Sequence, residues 1–467
     1  MAPFARTSRL VISPPAHTVV ALALVAAAFA FGVLLVVSAP LAAGAAGGAA
    51  YIGVLAVNLQ AGVATWAGLS YFEALGPLEA PTKAAAVLVI LATVLTVLSR
   101  RRTTEALPRG QRRLYAVVVL FFLWITISLA WSEEPEFGQQ VWKWYLAAAV
   151  FFVVVATIST PRHVRLLCGA IIAGTLASVL PGLGSSETLL GGVLPSLWGI
   201  EETGRLAGGL GGPNGLAAQI LPAIPLAAAL AAGTRRPGLR VALIVAFVLL
   251  AFSVVATQSR GGLVSIAVAS LVALVLFKGR RRAVLLFVVC NLCLVGVLVL
   301  TTPAFIDRIQ TDNKKGTGRG DAWRLAYAIG EDHPIIGVGA HNFPAYSERY
   351  VEQLDFVENA SRLGGGLVVH NAYLEFFAEQ GLVGLTLFLL VAGGCCRASI
   401  VAARRFDELG DRSLALLADA VVVAIAASLT AAIFLSSAYH ERLWVLFGLG
   451  PAMLAMTRRR AADRTRQ

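Results

Sequence analysis

Charge is scarce in this sequence. Only 14% of its 467 residues are Asp, Glu, Lys or Arg, against about a quarter in soluble domains. Hydrophobic residues make up 58% and the mean hydropathy is +0.77, which excludes a soluble globular chain. Short segments of alternating hydrophobicity are not the recurring theme, so a membrane β-barrel is excluded as well. Cysteine is sparse and badly placed for either of its structural uses. Cys168, Cys290, Cys293, Cys395 and Cys396 all lie in or at the ends of apolar runs, so neither a disulfide framework nor a zinc site is indicated. Cys290 and Cys293 form a CxxC with no second pair and read as packing residues.

What the chain has in quantity is apolar runs long enough to cross a bilayer, which takes roughly 20 residues each. They fall near 17–39, 83–99, 114–131, 141–158, 164–183, 214–233, 239–256, 261–277, 283–301, 381–397, 413–435 and 442–456. The expected fold is an all-α polytopic membrane protein with about twelve transmembrane helices. The first run follows Arg6 and Arg9 like a signal peptide, but it is long for one and more spans follow, so it reads as a retained anchor. The segment 51–69 is apolar enough to span. Crossing there inverts the charge alternation that follows, so it reads as re-entrant or interfacial.

The net charge of +12 suggests nucleic acid until the charges are placed. Most lie in alternate short breaks, among them "RRRTTEALPRGQRR", "TRRPGLR", "KGRRR" and "TRRRAADRTRQ". Such breaks are topology signals and anionic-lipid contacts. The positive-inside rule puts them, with both termini, in the cytoplasm. The other breaks, 132–140, 184–213, 257–260, 302–380 and 436–441, then face outward. The longest, 302–380, is an extracytoplasmic loop containing short helices. Four regions result: 1–82, an anchor and an interfacial segment; 83–301, a helix bundle; 302–380, the large loop; and 381–467, the last spans and a basic tail.

Positive charge on the outer side needs a reason. Arg205 sits in "GRLAGGLGGPNG" ahead of Asn214, where a turn leads into a helix. Arg260 stands at the junction of two spans in "TQSRGG". Arg319 and Arg324 belong to "GTGRGDAWRLA", a glycine-rich stretch running into an amphipathic helix, and "HPIIGVGAHNF" adds a further glycine turn with His341 and Asn342. Arginines beside glycine turns suit a diphosphate, because guanidinium meets phosphate oxygens in pairs and glycine lets backbone N–H groups approach. "GTGRG" lacks the ending of a P-loop. The bland alternative for any single arginine is snorkelling to headgroups. No DxD or HExxH occurs in these breaks and Asp307, Asp312 and Asp321 are isolated, so chemistry is expected without a bound metal or other cofactor.

His370 opens the apolar stretch "HNAYLEFFAEQGLVG". A helix starting here keeps its imidazole neutral through the dipole, hence able to accept a proton. Asn371 offers an amide to orient a hydroxyl. His370, Tyr373, Phe377, Gly381 and Gly384 recur at helical spacing, giving a face that narrows at its glycine end. Glu375 and Glu379 read as a solvated or arginine-paired edge.

Here the sequence resembles the O-antigen ligase family, within the group that includes O-antigen polymerases. The signature is His370-Asn371, nine residues, then Gly381-Leu382-Val383-Gly384. "SRGG", "GRGDAWRLA", "PIIGVG" and "FFLWITISLAWSEEP" support it in order. The resemblance implies a metal-independent transfer of a glycan from undecaprenyl diphosphate to an acceptor hydroxyl on the outer face of the inner (cytoplasmic) membrane. The acceptor is a glycolipid, a growing glycan or a protein. Carried over by motif, His370 activates the hydroxyl, Arg260 and Arg319 hold the diphosphate, and Arg205 is a third candidate. Arg205, Arg260, Arg319 and His370 are then expected to line one cavity. Asn214, Asn371 and Arg324 are expected to assist substrate binding. A multispan lipid-glycan transporter is the rival from another class; it calls for charges near span centres and repeated halves.

Overall fold

The computed structural model describes residues 39–72, 76–99, 109–133, 141–184, 205–206, 212–301, 319–353 and 368–464. Every regular element among them is a helix. They divide into two compact units, 1–57 and 58–467. In the first, helix α1 spans Ala39–Val57.

The second unit holds α2 (Leu59–Leu69), α3 (Gly76–Ser99), α4 (Arg112–Ser128), α5 (Trp142–Thr157), α6 (Pro161–Gly184), α7 (Gly212–Ile220) and α8 (Ala223–Gly233). It continues with α9 (Pro237–Ala256), α10 (Arg260–Leu276), α11 (Arg281–Thr301), α12 (Arg319–Asp332) and α13 (Phe343–Gln353). It closes with α14 (Ala372–Glu408), α15 (Arg412–Ala431) and α16 (Glu441–Arg464).

About twelve spans were expected, and seven helices among the described residues are long and apolar enough to cross a bilayer. The expected runs near 141–158 and 261–277 are helical, but as α5 of 16 residues and α10 of 17. At 1.5 Å per residue these reach roughly 25 Å, short of the roughly 30 Å hydrocarbon core. The last expected run is helical too, yet α16 starts on Glu441 and Arg442 and carries Pro451 inside. Most of the run near 17–39, and much of the loops 184–213 and 302–380, lie outside the described residues. The segment 51–69 is not one continuous helix. It breaks at Asn58, whose side chain caps α2 by accepting from Ala61 N at 2.9 Å. An 11-residue helix is about half a bilayer long. Cys293 is exposed, which corrects its reading as a packing residue, whereas Cys168 and Cys395 are buried.

An aromatic core binds α4, α5, α14 and α16. Phe121 stacks on Trp444 at 5.7 Å, packs edge-on against Trp144, also at 5.7 Å, and meets Phe376 at 5.8 Å. Phe376 lies 4.6 Å from Phe388. A smaller core covers one end of this bundle. The amphipathic α12 buries Ala322, Leu325, Ala326, Ile329 and Gly330, the i, i+3, i+4, i+7 pattern of a one-sided helix. It joins Val338, Phe343, Val369 and Ala378. Helix α13 is tied to the end of α4: Tyr346 donates to Glu133 Oε1 at 2.7 Å and Arg349 pairs with Glu133 at 2.6 Å.

The junction between the two cores explains the glycines around "PIIGVG" and "QGLVG". Gly381 has φ +63° and interrupts α14 after nine residues, so the expected glycine face is a break in the helix. Groups freed by the break find partners elsewhere, as buried backbone requires. Val338 N donates to Ala378 O at 2.9 Å, Gly339 N to Glu379 O at 2.8 Å, and Trp124 Nε1 to Gln380 O at 3.2 Å. On the other side, Leu382 N donates to Pro334 O at 2.8 Å and Val383 N to Ile335 O at 3.2 Å. A β-carbon on Gly381 would strike the backbone of Ile335 and Ile336, and one on Gly337 (φ +68°) the backbone of Glu379 and Gln380. The loop and the broken helix lie backbone to backbone, which only glycine permits on either side.

Candidate active site

A cavity of ≈ 370 Å³ opens beside the start of α14, within the size range of small-molecule sites, roughly 300–1,000 Å³. Arg205, Asn214, Arg319 and His370 line it, together with Tyr439, His440 and Arg442. Each cation or base arrives from a different element. Arg319 is the first residue of α12, His370 precedes α14, and Arg442 lies in the first turn of α16.

Arg205 is held rigidly. Its Nε donates to Thr257 O at 3.0 Å and its Nη2 to Asn214 Oδ1 at 3.1 Å. Asn214 is therefore occupied in bracing an arginine that faces the cavity. Arg442 is buried, donates to Ser70 O, pairs with Glu441 at 3.2 Å and lies 5.8 Å from the Tyr71 ring. Fixed cations of this kind cost no reorganisation when charge develops beside them.

His370 is half-buried with φ +53°, a left-handed conformation that non-glycine residues rarely adopt and that clusters at functional sites. Burial, then the Arg319 guanidinium, holds its pKa below the ordinary histidine value. The imidazole is thus neutral at pH 7 and can accept a proton. Asn371 has a different place from the one expected. Its side chain caps α14, accepting from Tyr373 N at 3.0 Å and Leu374 N at 3.1 Å. It fixes where His370 stands, and its oxygen is engaged by that cap.

Three expected site residues are not among those that line the cavity: Asn371, which caps α14, Arg324 and Arg260. Arg324 lies on the far face of α12, 66% exposed and 4.0 Å from Asp321; five residues is more than one helical turn past Arg319, and the helix carries it away. Arg260 is exposed at the first position of α10. Its neighbour Gly261 packs on Phe434, directly before the cavity-lining Leu435 and Ser436, so Arg260 stands beside the rim.

The carboxylates also depart from expectation. Glu379 is buried and accepts from His341 N at 3.0 Å and Phe343 N at 3.3 Å. It clamps the "GAHNF" turn to α14. Glu375 shares with it a crevice lined by His341, Trp144 and Tyr439. Glu379 belongs to the protein interior and Glu375 is half-buried beside it. His341, at φ +55°, is pushed down to about 4 by burial and Lys143. His440 is likewise pushed down to about 4, by burial and then Arg442. Among the described residues no group of three or more His, Cys, Asp or Glu is arranged to hold a metal.

His440 and Arg442 were missed in the sequence. His440 lies in the short break 436–441, assigned to the same side as Arg205, and Arg442 is the first residue of the run that follows it. The criterion that singled out Arg205, positive charge on the side that should have little, also selects Arg442.

A search of curated proteins finds no match to the chain. Residues 245–389, running from α9 into α14 and carrying Arg260, Arg319 and His370, match the family model described as O-antigen ligase, and that match supports a membrane glycan transferase of the ligase or polymerase type.

Proposed function

We propose that the protein transfers a glycan from undecaprenyl diphosphate to an acceptor hydroxyl on the outer face of the cytoplasmic membrane. The observation that carries this reading is the meeting of Arg205, Arg319, Arg442 and His370 on one cavity from four separate parts of the chain. The arginines hold the donor diphosphate and stabilise the charge that develops on it as the bond to the sugar breaks, the work a divalent metal does elsewhere. His370 takes the proton of the acceptor hydroxyl, a contribution of about 10²–10⁴-fold. The hydroxyl attacks the anomeric carbon from the side opposite the leaving diphosphate, so the configuration inverts. Arg260, beside the rim, meets the donor as it enters.

The test compares cells carrying wild type, His370→Ala or Arg319→Ala at equal protein levels. Both variants are expected to accumulate glycan-loaded undecaprenyl diphosphate and to lose a surface glycoconjugate. Full-length chains on the accumulated lipid mean a ligase; single repeat units mean a polymerase. Wild-type profiles in both variants make His370 structural and favour a transporter. The electrostatics give a second readout. Activity needs neutral His370, so it falls with acid through a pKa held below 6.5. Removing the Arg319 charge raises that pKa, and the acid limb of Arg319→Gln is expected nearer 6.5 than that of wild type.

A further inference from the structure

A second cavity, of ≈ 650 Å³, lies at the other end of the same helices. Its walls come from the start of α4, the C-terminal half of α14 and the C-terminal half of α16. Five arginines line it: Arg112, Arg113, Arg397, Arg405 and Arg458. Leu114, Val117, Leu390 and Leu454 form an apolar wall next to them. Leu390 is 54% exposed on the apolar flank of α14, so the cavity is open towards the hydrocarbon as well as towards the end of the bundle.

No Asp or Glu lines this cavity. The chain supplies counter-charge nearby, but to another arginine: Asp411 pairs with Arg460 at 2.8 Å. Arg458 donates to Gly110 O at 3.1 Å. Among the described residues none of the five is in an ion pair with a carboxylate. Five guanidinium groups around one space repel one another, and an anion with several oxygens relieves that repulsion. Guanidinium forks match phosphate oxygens. A free anion makes no use of the leucine wall, and a neutral lipid makes none of the arginines.

We propose that this cavity binds an anionic phospholipid, its phosphate among the arginines and the first part of an acyl chain along Leu114, Val117 and Leu390. The alternation of basic breaks places it in the cytoplasmic leaflet, where anionic headgroups attract basic residues by about 1 kcal/mol each. Arginines that only set topology need no shared cavity. Arg235 and Arg236, in the turn before α9, belong to the same set of basic breaks and are not among the lining residues.

The experiment uses the full-length protein purified in a neutral detergent and supplemented with phosphatidylglycerol, phosphatidylcholine or inorganic phosphate. Thermal unfolding and retained lipid by native mass spectrometry are the readouts. Phosphatidylglycerol is expected to raise the unfolding temperature and to be retained, and the other two are not. Arg397→Gln/Arg405→Gln is expected to weaken phosphatidylglycerol binding about fivefold for each arginine removed, while Arg235→Gln/Arg236→Gln leaves it unchanged. Arg112→Gln/Arg113→Gln, at exposed positions, repeats the test if the first pair lowers the yield of folded protein. An equal response to inorganic phosphate overturns the lipid assignment. Equal weakening by both the cavity pair and the Arg235/Arg236 pair reduces the effect to general surface attraction and overturns the site, as does full binding by both cavity variants.

Discussion

The two ends of α14 both gather arginines, and they hold them differently. Beside His370, the cations are fixed by the protein: Arg205 by Thr257 O and Asn214, Arg442 by Ser70 O and Glu441. Along the helix from Leu382, Arg397, roughly 23 Å away, is exposed and Arg405, roughly 35 Å away, is half-buried, with no carboxylate among the cavity walls. A group that must stabilise a transition state has to be in position before the charge appears. A group that only retains a lipid headgroup can stay mobile and solvated, since its attraction is long-ranged and undemanding in geometry. The same residue type is thus a fixed element at one end and an adaptable one at the other.

The largest effect expected from breaking this contrast is at Arg442. Its replacement by Ala leaves Glu441 buried and unpaired, and such losses cost about 3–5 kcal/mol. Arg397→Ala, exposed, is expected to change stability by no more than about 1 kcal/mol. Thermal or denaturant unfolding in detergent measures both. Equal losses at the two positions remove the distinction between fixed and adaptable cations.

Acid sharpens the comparison next. His341 sits in the clamp beside the first cavity with its pKa pushed down to about 4. The folded state therefore binds fewer protons than the unfolded state, whose histidine titrates near 6.5. Stability from this group is fully present above about 6.5 and is lost as pH falls towards about 4. The loss amounts to at most about 3.5 kcal/mol at about 1.4 kcal/mol per pKa unit. Glu375 and Glu379 share the same crevice, so the readout is the difference between wild type and His341→Gln. Wild type is expected to lose more stability than the variant between pH 6.5 and 4. Parallel curves would show that His341 is not buried as described. Gly381→Ala follows, at about 1–3 kcal/mol of backbone strain on top of the contact with Ile335 and Ile336. It should open the paired loop first, so faster amide exchange at Val338 and Gly339 is the specific sign.

Much of this arrangement was legible in the sequence, and what was not follows a pattern. The helices of the bundle came from apolar run length, and α12 from its i, i+3, i+4 spacing. Arg205 and Arg319 came from charge on the side that should lack it, and His370 from a polar pair at the mouth of an apolar stretch. The break at Gly381 was not legible, because "YLEFFAEQGLVGL" keeps a helical period through the glycine. Only the "PIIGVG" backbone, more than thirty residues earlier, makes the break worthwhile. Glu375 and Glu379 were placed on a solvated edge because the residues that share their crevice, His341, Trp144 and Tyr439, come from distant parts of the chain. The short α5 and α10 were legible as helices but not in their length, since hydropathy does not report where a helix stops relative to its neighbours.

The smallest effect expected is at Asn371, and it separates two roles for one side chain. As a cap, Asn371 accepts two backbone N–H groups and contributes about 1 kcal/mol, which Ala loses and Asp retains. A side chain that instead oriented a substrate hydroxyl through its amide would lose function in Asp as well as in Ala. Asn371→Asp is therefore expected to keep the stability and the maximal activity of wild type. It also places a carboxylate next to His370, which favours imidazolium and raises the histidine pKa. The acid limb of the pH profile should move upward while the plateau stays. A lowered plateau at every pH would give Asn371 a direct part in the chemistry; an unmoved limb would mean that His370 is not the group whose protonation limits the rate.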